Sequence, residues 1–185
     1  MHFGEIVMAV PSVKAVLILD CADGSRVHAK YYSNDLRKKP EMQTRLEKHL
    51  FSKTHSTNAR MDTEVILIDG TVAVYRTGID VHFYVVGDAV ENELILTSVL
   101  GGLFDAINGL LRGQLEKRVL LDNLDLVLLT VDELVDGGII LETDALLIAN
   151  RVLMRAPDGD TPTAELTLSQ ALSTAKKQLV KGLRS

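Results

Sequence analysis

Tryptophan is absent, phenylalanine and tyrosine number four each, and cysteine occurs once among 185 residues. A single thiol, Cys21, cannot close an internal disulfide, so the chain is no disulfide scaffold and suits a reducing compartment. The core has to be aliphatic. With 46% hydrophobic against 24% charged residues there is ample material for one, far from the profile of a disordered chain. Positive charge is not in surplus either. The formal net charge of −5 speaks against a basic stripe able to displace counterions from phosphates, so no nucleic-acid partner is expected. The first twelve residues carry Glu5 and lack the basic start and long apolar run of a signal peptide. Residues 94–111, the most apolar stretch, are broken by Thr97, Ser98, Gly101, Gly102, Asp105 and Asn108, too polar for a span of ~20 apolar residues.

Motifs that carry chemistry are missing as well. His2, His28, His49, His55 and His82 are scattered, without a HExxH or paired-cysteine arrangement that would gather them on one metal. Gly101-Gly102 falls inside a helical pattern and Gly137-Gly138 after one, so neither pair forms a phosphate cradle. A GxSxG signature is absent, and Asp132, Glu133 and Asp136 read as the solvated side of a helix. The basic groups Arg37-Lys38-Lys39 and Lys176, Lys177, Lys181, Arg184 read as a charged loop and a polar helix face rather than as contacts for anionic lipid or an acidic partner. No catalytic, cofactor or metal site is expected.

The hydrophobic pattern predicts a single α+β domain. Residues 13–19 are apolar at both alternating sets of positions, as in a strand covered on both faces. After the Asp23-Gly24 turn, residues 27–32 alternate more clearly, as in a strand nearer an edge. From 40 to 52 the period becomes helical, with Pro40 at the first position and Met42, Leu46 and Leu50 in one row. Residues 64–68, 71–76 and 80–86, joined by Asp69-Gly70 and Thr77-Gly78, predict a three-stranded meander. A helix over 92–112 is apolar on nearly every side, so something must cover its outer face: in part a second helix over 120–135 ending at the Gly137-Gly138 pair, in part a partner. Helices over 144–154 and 168–183 follow, the last isolated by the loop at 157–162.

Specific blocks go further. Val13-Lys14-Ala15-Val16-Leu17-Ile18-Leu19-Asp20, Ala29-Lys30-Tyr31-Tyr32, Phe51-Ser52-Lys53-Thr54 and Glu91-Asn92-Glu93-Leu94 follow one another in order. Asn123-Leu124-Asp125-Leu126-Val127, Val131-Asp132-Glu133-Leu134-Val135-Asp136-Gly137-Gly138 and Leu141-Glu142-Thr143-Asp144 complete the series. Together they resemble the zeta chains of coatomer and, more distantly, the sigma chains of clathrin adaptors. The basic, tyrosine-containing segment that sigma chains usually carry before the third strand is missing. The resemblance begins at about residue 13. It implies a longin-type, SNARE-like fold: a five-stranded antiparallel sheet of order 2-1-5-4-3 sandwiched by helices, with additional C-terminal helices. The expected divisions are an extension over 1–12, the domain over 13–156, and a loop with an amphipathic helix over 157–185.

By the same resemblance the chain is a structural subunit of the COPI coat. It would pair directly with the trunk of the large coatomer gamma subunit within the heptameric coatomer. It would meet an Arf-family GTPase and the Golgi membrane only through that complex. For the gamma contact the candidates are apolar groups without obvious cover in their own chain: Tyr31, Tyr32, Phe51, Leu103, Phe104, Leu110, Leu111 and Leu128. Two alternatives stand beside this reading. One is a clathrin-adaptor sigma chain with another large partner. The other is a small thiol-dependent hydrolase using Cys21, which fast labelling by a thiol probe would reveal.

Overall fold

The computed structural model describes residues 11–55 and 62–155. The chain divides into two units, Met1–Val152 and Leu153–Ser185, and the first carries the fold set out here. The expected loop at 157–162 and helix at 168–183 lie outside the described residues.

Five strands, β1 (Val13–Asp20), β2 (Arg26–Tyr31), β3 (Glu64–Ile68), β4 (Thr71–Thr77) and β5 (Val81–Asp88), form an antiparallel sheet in the order β2-β1-β5-β4-β3. Period-two alternation decides the layers. Ala15, Leu17 and Leu19 of β1, Tyr84 and Val86 of β5, and Ala73 and Tyr75 of β4 pack with Leu36 and Leu50 on one face. Val16, Ile18, Phe83, Val85, Val72 and Val74 point the other way. Because β1 and β5 are buried on both faces, they read in sequence as continuous apolar runs.

Two helices cover the first face: α1 (Asn34–Lys38), begun by the side chain of Ser33, and α2 (Pro40–Thr54). α2 is tied to the sheet at its end, where the Tyr84 hydroxyl lies 2.6 Å from Thr54 Oγ1. The first turn, α1, falls where the sequence predicts only a charged loop. Five residues are too few to show a period, although Ser33 before Asn34-Asp35 is a start signal and Pro40 a stop.

The second face carries α3 (Glu93–Leu110), α4 (Lys117–Asp122), α5 (Leu124–Leu134) and α6 (Ala145–Arg155). α3 starts at Asn92, whose side chain accepts the Leu94 N–H at 2.9 Å. By length and composition α3 resembles a membrane span, yet it serves as the core helix. Leu96, Val99, Leu100, Leu103 and Ile107 are buried in the cluster that joins it to β4, β5 and α5, and Phe83 meets Phe104 edge to face with centroids 5.1 Å apart.

The single helix expected over 120–135 is two helices. Asn123 donates both its backbone N–H and its side-chain amide to Val119 O, at 3.1 and 2.8 Å, and its φ of −124° and ψ of 40° leave helical geometry, which closes α4 before α5 begins. Gly137-Gly138 does not terminate a helix either. Both residues have positive φ, 57° and 92°, and make the turn of a short hairpin, β6 (Val135–Asp136) and β7 (Ile139–Ile140). A side chain at Gly138 would also meet Val13 O, which lies 2.9 Å from where its Cβ would stand.

Candidate partner-binding surface

A protein that works by binding shows its site as large apolar groups its own core does not use. The sequence places that surplus on α3, and the structure moves it. On α3 the outward positions are Glu93, Leu94, Ser98, Asp105 and Gly109, so only Leu94 presents a large apolar side chain to solvent. Of the eight candidates, Tyr32, Leu103, Phe104 and Leu111 are buried in this chain's own core and offer a partner no area. Tyr31 is half-buried; its hydroxyl donates to Glu47, and Arg26 lies 5.6 Å over its ring. Phe51 is half-buried beneath Gly24, whose absent Cβ would stand 2.6 Å from the ring. Leu110 is half-buried against the core. Leu128 alone is largely accessible, at 44%. The structure therefore does not bring the eight together on one surface.

Among the described residues the exposed large apolar groups outside the eight are Met42, Val65 and Leu67 on β3, Ile79, Val90, Leu94 and Met154, and, closer together along the chain, Leu121, Ile139, Leu141, Leu146 and Leu147. With Leu128 the last five fall in one segment, from α4 through the β6-β7 hairpin to the start of α6. The signal that could have found Leu128's neighbourhood is its row: Asp125, Leu128 and Asp132 follow at i, i+3, i+7 and all face outward, while Val127, Val131 and Leu134 face in. Ile139 and Leu141 carry no such period, because a two-residue strand is too short to show one.

This segment is held firmly from below. Asp132 pairs with Lys30 of β2. The Tyr32 hydroxyl donates to Val135 O at 3.2 Å, and Val13 N–H donates to Gly138 O at 2.8 Å. Burial, and then the charges of Asp132 and Asp136, hold the Tyr32 phenol well above its usual range, so it stays a donor. Arg151 of α6 reaches the buried Glu133 of α5 at 3.8 Å and Glu142 at 3.4 Å. Lys117 at the head of α4 binds Asp20 at the end of β1 at 2.7 Å, and that hydrogen bond raises the ammonium above its ordinary value. Such a surface is preformed, which lowers the ordering cost of association.

Little else in the described residues resembles chemistry. No three His, Cys, Asp or Glu side chains gather there as metal ligands. Cys21 is half-buried at the turn after β1, its backbone N–H bonded to Asp80 O. A depression of about 390 Å³ beside α2 has Leu36, Met42 and Leu46 in its lining, and its two cations are already engaged, Lys14 with Asp88 and Arg45 with Asp69.

Comparison with known proteins gives this surface its context. Residues 12–158 match the clathrin adaptor complex small chain family. Coatomer subunit zeta-1 of Arabidopsis thaliana is 49% identical over 94% of this chain and 97% of its own length. Coatomer subunit zeta-1 of Homo sapiens is 46% identical, over 91% and 90%. Among structures, a homology model of the full-length AP-3 complex in a stretched open conformation aligns with 90% of this chain and 98% of the matched one. Its TM-score is 0.60 at 16% identity, a likeness of fold. With a family match over most of its length and such relatives, the chain belongs to the clathrin adaptor complex small chains and, within them, to the coatomer zeta subunits.

Proposed function

We propose that this chain acts by binding alone, as the zeta subunit of the COPI coat, seated on the trunk of the large gamma subunit. Through that subunit it joins the heptameric coatomer, which an Arf-family GTPase recruits to Golgi membranes for retrograde and intra-Golgi transport. The observation that carries this reading is similarity to coatomer zeta proteins that runs nearly end to end in both chains. Geometry supports it: an apolar core on either side of one sheet, a braced segment with Leu121, Leu128, Ile139, Leu141, Leu146 and Leu147 uncovered, and Val65 and Leu67 exposed on edge strand β3. Apolar groups on a rigid base suit a lasting subunit contact.

The test is a native pull-down of the tagged full chain from cytosol, with mass spectrometry of the stoichiometric large partner. Coatomer gamma is expected. An adaptor large chain would move the protein to the sigma class, and no stoichiometric partner would end the subunit reading. Leu121→Asp with Leu128→Asp should then cost at least about tenfold in gamma affinity, since each buried leucine contributes roughly 1.5–3 kcal/mol.

A further inference from the structure

Among the described residues, cations with an ion-pair partner and cations without one are not distributed evenly. Lys14, Arg26, Lys30, Arg45, Arg76, Lys117, Arg118 and Arg151 each hold a carboxylate within 4 Å. Arg37, Lys38, Lys39, Lys48 and Lys53 have no ion-pair partner among the described residues, all five are exposed, and all five lie on α1, α2 and the junction between them. Arg45, on the same helix, reaches Asp69 only at 3.6 Å and remains mostly exposed. The exposed carboxylates of these helices are Asp35 and Glu41, so the face is positive in a chain whose net charge is −5.

We propose that the α1–α2 face is a second docking surface, for a bilayer carrying acidic phospholipids. The form of the face selects that partner. Its charges stand on the outside of two helices, and the depression among Glu41, Thr44, Arg45, Lys48 and His49 is shallow, without the walls that would hold one acidic peptide in register. Long flexible ammonium groups spread along a 15-residue helix, about 22 Å, match a plane of mobile anionic headgroups instead. Met42, 39% exposed, is the one large apolar side chain exposed on these helices, so attachment is electrostatic rather than by insertion. α1 and α2 cover the sheet face opposite α3 and α5, so this surface stays open while the α4-to-α6 segment is covered.

The experiment is co-sedimentation of the full chain with phosphatidylcholine vesicles, with and without phosphatidylserine. Binding is expected only to the phosphatidylserine vesicles, and it should disappear as salt is raised from about 0.1 to about 1 M. Lys38→Glu, Lys39→Glu and Lys48→Glu together should lower the partition coefficient about a hundredfold or more, and Lys48→Glu alone about fivefold. All three side chains are exposed, so circular dichroism should not change. Equal binding to neutral vesicles would overturn the proposal. So would an unchanged coefficient in the triple variant, a loss that follows Lys176→Glu with Lys177→Glu instead, or capture of a poly-glutamate peptide without capture of vesicles. None of these outcomes depends on which large subunit the chain accompanies.

Discussion

His28 shows how one side chain can set a pH limit. It lies on β2 with 8% exposure, and its Nε2 has no hydrogen-bond partner. Burial, and then the charge of Lys30, push the imidazole from 6.5 down to about 4, against the pull of Asp132. Above pH 6.5 the ring is neutral both folded and unfolded, so no stability depends on it. Between 6.5 and about 4 the unfolded chain binds a proton that the folded chain refuses, so stability falls as pH falls; below about 4 the loss levels off. The loss is on the order of 3 kcal/mol. Burial lowers His82 in the same direction. Urea unfolding at pH 7 and pH 5 should show the drop, and His28→Leu should reduce it. Two adjacent glycines of α3 offer a paired test at the same scale. A Cβ on Gly102 would stand 2.6 Å from Thr143 O, a backbone atom, whereas Gly101 has nothing within 4 Å. Gly102→Ala should destabilise by about 1–3 kcal/mol. Gly101→Ala should stabilise by about 0.5–1 kcal/mol, since alanine is the better helix former. Thermal melts of the two variants should move in opposite directions.

Elements were legible in the sequence where a period had room to repeat. β1 announced itself as a two-faced strand, β3 to β5 as a meander with Asp69-Gly70 as a hairpin turn, and 92–112 as a core helix, with ends within a few residues of those observed. The misses were of two kinds. α1 and the β6-β7 hairpin are shorter than any period, and the α4–α5 break depends on one asparagine amide competing for a carbonyl. The candidate surface was legible only at Leu128, for a related reason. An apolar pattern tells how much surface a helix must bury, but not whether its own sheet is wide enough to bury it. β4, β5 and α5 are enough for α3, so Leu103 and Phe104 went inside. What keeps the remaining segment in place is an ion bridge the sequence does not advertise. Arg151 joins Glu133 on α5 to Glu142 before α6, and Glu133 is only 5% exposed. Removing the cation takes its charge from beside a buried carboxylate, so Arg151→Met should destabilise by about 1–3 kcal/mol. Hydrogen exchange should quicken first at the head of α6, where the N–H groups of Leu146 and Leu147 rest on Asp144.

At the scale of the whole molecule, this chain's own helices cover β1, β5 and β4 on both faces of the sheet, while Val65 and Leu67 stay exposed on edge strand β3. That separates two kinds of leucine that are alike in sequence. Leu103 is fully buried on the inner side of α3, and Leu103→Asp would place a charge among aliphatic side chains; this variant should fail to fold. Leu121 and Leu128 are 45% and 44% exposed, so Leu121→Asp with Leu128→Asp costs the isolated chain little. The difference should appear when the partner is added. Binding to the folded state alone stabilises it by about 2.7 kcal/mol at a hundredfold excess over Kd, which raises Tm by several degrees for a domain of this size. The parent chain should melt later with the large subunit's trunk fragment present, while the double variant, binding at least about tenfold more weakly, should gain about half that shift or less. If the double variant gained as much as the parent, the α4-to-α6 segment would not be the contact. If it melted well below the parent when alone, these leucines would belong to the core after all.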